Sequence, residues 1–102
     1  MSNVDNIILS KILDATPKTY IVFYKKSCPY CQSVFKKLRD KQVRYKGYDI
    51  NKMRGISFDK LLDVFVKHKD QIGFNPAHRT VPMIFYNKKF IGGADIFFDY
   101  VA

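Results

Sequence analysis

The chain has 102 residues, 47% of them hydrophobic and 16% aromatic, with two cysteines, no tryptophan and no glutamate. That composition excludes a disordered tail, a collagenous repeat and a disulfide scaffold, and the length predicts one domain, residues 1–102, burying roughly two thirds of its surface without staples. Eighteen Lys and Arg against nine Asp give a net charge of +9, and +8 of it lies between Lys25 and Arg54, where ten basic residues accompany only Asp40 and Asp49.

Residues Ile7, Ile8, Lys11 and Ile12, with Asp14 at the end, predict a short amphipathic helix closed by Thr16-Pro17. Thr19 to Tyr24 is a β-branched and aromatic run suited to a central strand buried on both faces. Lys25-Lys26-Ser27 breaks it. Pro29 fits a first helical position, and Cys31, Val34, Phe35 and Leu38 then fall at i, i+3, i+4 and i+7, one apolar helix stripe.

Val43 to Ile50 reads as a second strand, parallel to the first because a helix joins them through a right-handed crossover. Ser57 opens a further helix carrying Ile56, Leu61, Leu62 and Phe65, running to about Gln71. A loop over residues 72–79 follows. Val81 to Tyr86 and Lys89 to Ile91, joined by Asn87-Lys88, predict a β-hairpin, Gly92-Gly93 ends it, and Ala94 to Ala102 forms a last helix. The order α-β-α-β-α-β-β-α implies an α/β fold: a four-stranded mixed sheet flanked by helices on both faces.

No segment approaches the roughly 18 to 20 apolar residues of a membrane span. The stretch from Met1 to Leu9 lacks the basic region and apolar length of a secretory signal, so the expected compartment is the cytosol, where thiols stay reduced. Two cysteines two residues apart in such a setting point to redox catalysis or metal binding.

The pair is Cys28-Pro29-Tyr30-Cys31 at a strand-to-helix junction. Cys28 sits at the helix cap, where N–H groups and the positive end of the helix dipole stabilise a thiolate. Lys25 and Lys26 add positive charge just upstream. Cys31 lies one turn in, on the buried stripe, so its pKa should stay normal or rise. Cys28 is thus expected to attack and Cys31 to resolve. Zinc would need about four ligands, and His68 and His78 lie far downstream with no second cysteine pair, so no metal is expected.

With these residues the chain resembles the glutaredoxin family. The resemblance rests on Cys28-Pro29-Tyr30-Cys31 with Lys25 three positions ahead, on Thr80-Val81-Pro82 before a hydrophobic strand, and on Gly92-Gly93-Ala94-Asp95 opening the last helix. The short length and the Asp70-Gln71-Ile72-Gly73 stretch look most like the compact glutaredoxins of phages and large DNA viruses. The resemblance implies a thioredoxin-like fold and a cis bond before Pro82, where sequence alone would favour trans. The N–H and C=O of Val81 would then pair with the peptide backbone of glutathione. Gly93 lets a ligand approach the backbone, and the N–H groups of Ala94 and Asp95 offer a cradle for the γ-glutamyl carboxylate.

By the same resemblance Lys25 faces the glycine carboxylate of glutathione, Tyr30 packs beside the mixed disulfide and Thr80 lines the groove. Gln71 and Arg79 are candidates for a further carboxylate contact. Ile96 stands where many family members carry a second Asp that meets the glutathione amine, and Ala94 replaces a Cys or Ser.

The implied function is glutathione-dependent thiol–disulfide exchange, reducing protein disulfides and protein–glutathione mixed disulfides. Ribonucleotide reductase is one protein partner the family suggests, a monomer is expected, and the setting would be cytoplasmic, a host cytosol or a virion if the chain is viral. An iron–sulfur cluster carrier is the alternative within the fold, disfavoured by Pro29. A nucleic-acid-binding module is the alternative outside it, disfavoured because the aromatics follow strand and core patterns. Thioredoxin itself is excluded by Pro29-Tyr30 between the cysteines and by the missing Trp.

Overall fold

The computed structural model describes residues 3–101. Five helices and four strands follow in order: α1 (Asn3–Leu13), β1 (Thr19–Tyr24), α2 (Pro29–Lys41), β2 (Arg44–Asp49), α3 (Phe58–Lys67), α4 (Lys69–Ile72), β3 (Met83–Tyr86), β4 (Lys89–Gly92) and α5 (Ala94–Val101). A 3-10 turn, Ile50–Lys52, leaves β2. The sheet order is β2-β1-β3-β4. β1 runs parallel to β2, from Thr19 opposite Arg44 to Tyr24 opposite Asp49, and antiparallel to β3, which pairs antiparallel with β4. This is the mixed four-stranded sheet that the element order implies.

Alternation along β1 explains why its whole run is apolar. Ile21 and Phe23 join Ile8, Ile12, Leu61 and Phe65 in a core under α1 and α3, while Tyr20 and Val22 join Val34, Leu38, Ala94 and Phe97 under α2 and α5. Successive side chains of a strand point to opposite faces, so a strand covered on both faces needs no polar alternation. β3 repeats the division, with Met83 and Phe85 on one side and Ile84 on the other.

The helix opened by Ser57, β2, β3 and the side chain of Phe35 depart from the sequence expectation. The helix opened by Ser57 stops at Lys67, and α4 follows as a separate turn, because His68 (φ −110°, ψ 24°) leaves helical geometry. β2 excludes Val43 and Ile50: Gln42 takes a left-handed cap (φ 55°) that spends Val43 on closing α2, and Ile50 starts the 3-10 turn. Val81 and Pro82 precede the β3 ladder, which begins at Met83 opposite Phe23. Phe35, placed on the core stripe of α2 by its spacing, is half-buried and packs edge-on against Tyr24 at 4.8 Å. The helix end expected at Ala102 and the first two residues, Met1 and Ser2, of the stretch read as lacking a secretory signal lie outside the described residues.

Candidate active site

The parallel pairing of β1 and β2 delivers the chain at Tyr24 to one end of the sheet, where α2 begins. Lys25 to Cys28 make a tight turn closed by the Cys28 N–H donating to the Lys25 carbonyl at 3.1 Å. Pro29 occupies the first helical turn, where a missing N–H costs nothing. Cys28 is the helix cap, and its Sγ accepts the Cys31 N–H at 3.2 Å, the role an oxygen usually plays there.

Cys28 is half-buried rather than fully exposed, because the segment before β3 lies against it. Its thiol donates to the Val81 carbonyl at 3.8 Å. Cys31 is fully buried. Burial first, then its hydrogen bond with Cys28, push the Cys31 thiol from about 9 up to about 12; the Lys25 backbone opposes this, and a smaller charge interaction with Cys28 adds to it. The two sulfurs therefore sit in different environments: one at a helix terminus beside a groove, the other sealed in the core.

The groove encloses about 440 Å³. Its walls are Tyr30, Thr80, Val81, Pro82, Gly93, Ala94 and Asp95, seven of the residues expected from sequence, together with His78 and Ile96. Topology makes the site: β3 and β4 bring the start of one strand and the end of the next to the same end of the sheet as Cys28. Tyr30 projects from the first turn of α2 and is 65% exposed, leaving its ring free to cover a ligand. The peptide bond between Val81 and Pro82 is cis. At α5 the Phe97 N–H is the one that reaches the Gly93 carbonyl, at 3.0 Å. The N–H groups of Ala94 and Asp95 precede it and have no acceptor within the helix.

Lys25 is placed elsewhere: its Nζ lies 4.4 Å over the Phe58 ring, and it is not among the groove's lining residues. Gln71 and Arg79 do not line the groove either; the Gln71 carbonyl accepts Lys89 Nζ at 2.7 Å.

His78 entered the sequence reading only as a remote metal candidate, yet it forms part of the wall. Asn75 folds the loop back, its Oδ1 accepting the Ala77 N–H and its carbonyl the His78 N–H. The imidazole then packs on Phe90 at 5.1 Å between ring centres, and Nε2 lies 3.3 Å from the Pro82 carbonyl. A carbonyl only accepts, so Nε2 carries the proton. No signal short of the fold could reveal this, since a lone His in a loop has no period to read. Among the described residues no group of three or more His, Cys or Asp stands together to hold a metal.

The sequence pattern of the glutaredoxin family matches residues 20–91, from β1 into β4. The chain belongs to the glutaredoxin family. This glutaredoxin is 44% identical over 95 residues to a "Probable glutaredoxin" of Acanthamoeba polyphaga mimivirus, covering 93% of this chain and 89% of that one. It is 34% identical over 74 residues to mouse mitochondrial glutaredoxin-2, spanning 42% of that longer protein. Among solved structures it resembles a buckwheat glutaredoxin–glutathione complex (25% identity, TM-score 0.65, 94% of this chain and 81% of that one). It also resembles oxidised glutaredoxin 2 of Chlamydomonas reinhardtii (28% identity, TM-score 0.66, 95% and 80%). The fold is thioredoxin-like, and the chemistry of this glutaredoxin is thiol–disulfide exchange.

Proposed function

We propose that this chain is a glutathione-dependent dithiol oxidoreductase that reduces protein disulfides and protein–glutathione mixed disulfides. The observation that carries the reading is the unequal setting of the two sulfurs: Cys28 caps a helix at the mouth of a groove, and Cys31 is sealed behind it.

In this scheme the Cys28 thiolate attacks a disulfide R–S–S–R′, the S–S bond breaks, and R′S⁻ leaves and takes up a proton. Cys31 loses its proton and attacks the new Cys28–S–S–R bond, releasing RSH and leaving a Cys28–Cys31 disulfide. Two glutathione molecules then restore the dithiol and depart as glutathione disulfide. When R is glutathionyl, a second glutathione resolves the intermediate directly and Cys31 is bypassed. Formation of the mixed disulfide also removes two of the influences that hold the Cys31 proton, its hydrogen bond and charge interaction with the Cys28 sulfur. Burial, the largest of them, still opposes ionisation.

Glutathione bound at Cys28 would run along Val81, with its γ-glutamyl carboxylate on the N–H groups of Ala94 and Asp95 and its ring-side contact from Tyr30. Lys25, whose Nζ lies over the Phe58 ring in the structure, would turn from it to meet the glycine carboxylate. Support comes from the lining of the groove by these segments and from the glutathione bound to the buckwheat relative. A glutathione-rich cytosol suits this chemistry, and ribonucleotide reductase is a candidate recipient of the electrons.

The test is a coupled assay with glutathione, glutathione reductase and hydroxyethyl disulfide. Wild type should turn over, Cys28→Ser should be inactive, and Cys31→Ser should keep deglutathionylation while losing reduction that needs a second thiol. Equal loss in both variants would defeat the division of labour.

A further inference from the structure

A second depression lies on the opposite flank of α2 from the glutathione groove. It encloses about 540 Å³ between α2 and β2, lined by Tyr24, Lys26, Gln32, Phe35, Arg39 and Tyr45, over Gly47. Its floor is aromatic. The Phe35 ring lies so close to the Gly47 backbone that a Cβ there would stand 2.8 Å from its Cζ, and Tyr24 and Tyr45 flank it at 4.8 and 5.8 Å between ring centres. The rim is cationic, with Lys26 at the end near Cys28 and Arg39 at the far end. The two aspartates of this stretch are engaged away from the cleft: Asp40 pairs with Lys36 at 3.0 Å, and Asp49 caps the 3-10 turn.

Gln32, Phe35 and Arg39 fall at i, i+3 and i+7, so they form one line along the helix leading away from the nucleophile. At 1.5 Å per residue Phe35 lies about 10 Å along the axis from Cys28 and Arg39 about 16 Å. An extended peptide covers those distances in about three and five residues.

We infer that this cleft docks the polypeptide beside the reactive cysteine of a protein substrate. The segment it fits carries an aromatic or large apolar side chain about three residues from that cysteine, to lie on Phe35, and a carboxylate about five residues away, to meet Arg39. Charge complementarity commits the occupant, since a cationic rim with its own acids turned aside favours Asp or Glu. The inference rests on the proposed function in that Cys28 is the attacking sulfur. It divides the site in two, glutathionyl on the Val81 side and protein on the Phe35 side, with the chemistry unchanged.

Short peptides with one glutathionylated cysteine, a Phe three residues away and either Asp or Lys five residues away, made in both chain directions, test this. Wild type should prefer the Asp peptide in kcat/KM by about three- to tenfold at low salt, shrinking as ionic strength rises. Arg39→Asp should reverse the preference and leave hydroxyethyl disulfide turnover unchanged. No preference in wild type, or equal loss on both peptides and the small disulfide in Arg39→Asp, overturns the inference. Binding of the same peptides without glutathione to the Cys28→Ser protein, read from backbone amide shifts at Gln32, Phe35 and Arg39, decides docking independently of turnover. Shifts there from a single-stranded oligonucleotide and not from the Asp peptide would make the cleft a nucleic-acid site and end the proposal. Failure of wild type on hydroxyethyl disulfide defeats the glutathione-dependent function instead, while the amide shifts still decide docking.

Discussion

The His78 imidazole stands where a side chain on Gly93 would have to go: a Cβ there would lie 3.0 Å from Cε1 of the ring and 3.5 Å from the Pro82 carbonyl oxygen. The loop before β3 and the start of α5 thus meet through a ring and a glycine, with the groove running over the seam. Gly93→Ala requires the ring to yield by a few tenths of an ångström. Gly93→Val should displace it, costing about 1–3 kcal/mol of stability and raising KM for glutathione more than it lowers kcat. The double variant Gly93→Val with His78→Ala should recover much of the lost stability. If it recovers none, the contact with His78 is not what the glycine serves.

Unequal burial of the two sulfurs predicts unequal alkylation. At pH 6 to 7 iodoacetamide should modify Cys28 and spare Cys31, whose thiol is pushed up to about 12. Peptide mapping of the reduced protein after partial labelling reads the outcome, and label at Cys31 at a matching rate would contradict the buried position.

The same thiol ties stability to pH. Folded Cys31 keeps its proton up to about 12, whereas an exposed thiol in the unfolded chain gives it up near 9. Above pH 9 the folded state therefore binds more protons, and this contribution, fully present below that pH, is lost as pH rises toward 12. The slope should not exceed about 1.4 kcal/mol per pH unit. Urea unfolding of reduced wild type and Cys31→Ala at pH 8 and pH 10 should show the wild type losing more; parallel losses would mean the thiol ionises freely in the fold.

Ser57 caps α3, its Oγ accepting the Lys60 N–H at 3.1 Å. Ser57→Ala should cost about 1 kcal/mol, a fall in Tm of about 4–8 °C for a chain of this size. Ser57→Asp should preserve the midpoint. Activity should be untouched in both, because α3 contributes no residue to the groove.

The charge around the nucleophile predicts a rate that depends on salt. Lys25 and Lys26 precede Cys28 in the turn that leads into α2, and Lys26 and Arg39 rim the cleft beside it. Turnover of anionic glutathione disulfide should fall with ionic strength more steeply than turnover of neutral hydroxyethyl disulfide. Lys25→Gln should raise KM for glutathione several-fold. Identical salt profiles for the two substrates would reduce these lysines to solvated surface.

What the sequence made legible was what periodicity and chain order encode. β1 was readable because its unbroken apolar run has one physical explanation, burial on both faces, and α2 because Cys31, Val34 and Leu38 repeat at helical spacing. The break between α3 and α4 was hidden, since Leu61, Leu62, Val64, Phe65 and Ile72 are all buried and the apolar pattern runs straight across His68. Phe35 kept the right spacing and packs at the margin of the core, half-buried, with its ring over Gly47, a contact the pairing of β2 with β1 creates. His78 joined the groove from a loop distant in sequence from Cys28, while Ile96 did so from the first turn of α5. Gly92 was read as a strand terminator; in the fold a Cβ there would stand 2.9 Å from the Ile96 side chain, so packing over the first turn of α5 fixes it.

Tyr20, Ile21, Val22 and Phe23 send alternate side chains into two separate cores, and the same strand ends four residues before Cys28. A single inserted or deleted residue in β1 would exchange the two sets of side chains and shift the dithiol along the sheet in one event. Changes of length should therefore be lethal in that strand and tolerated at the exposed turn of Arg54 and Gly55, which lines no part of the groove. Scanning the chain with one-residue deletions would draw this contrast as a map, with the spacing from core to sulfur among the least negotiable lengths in the protein.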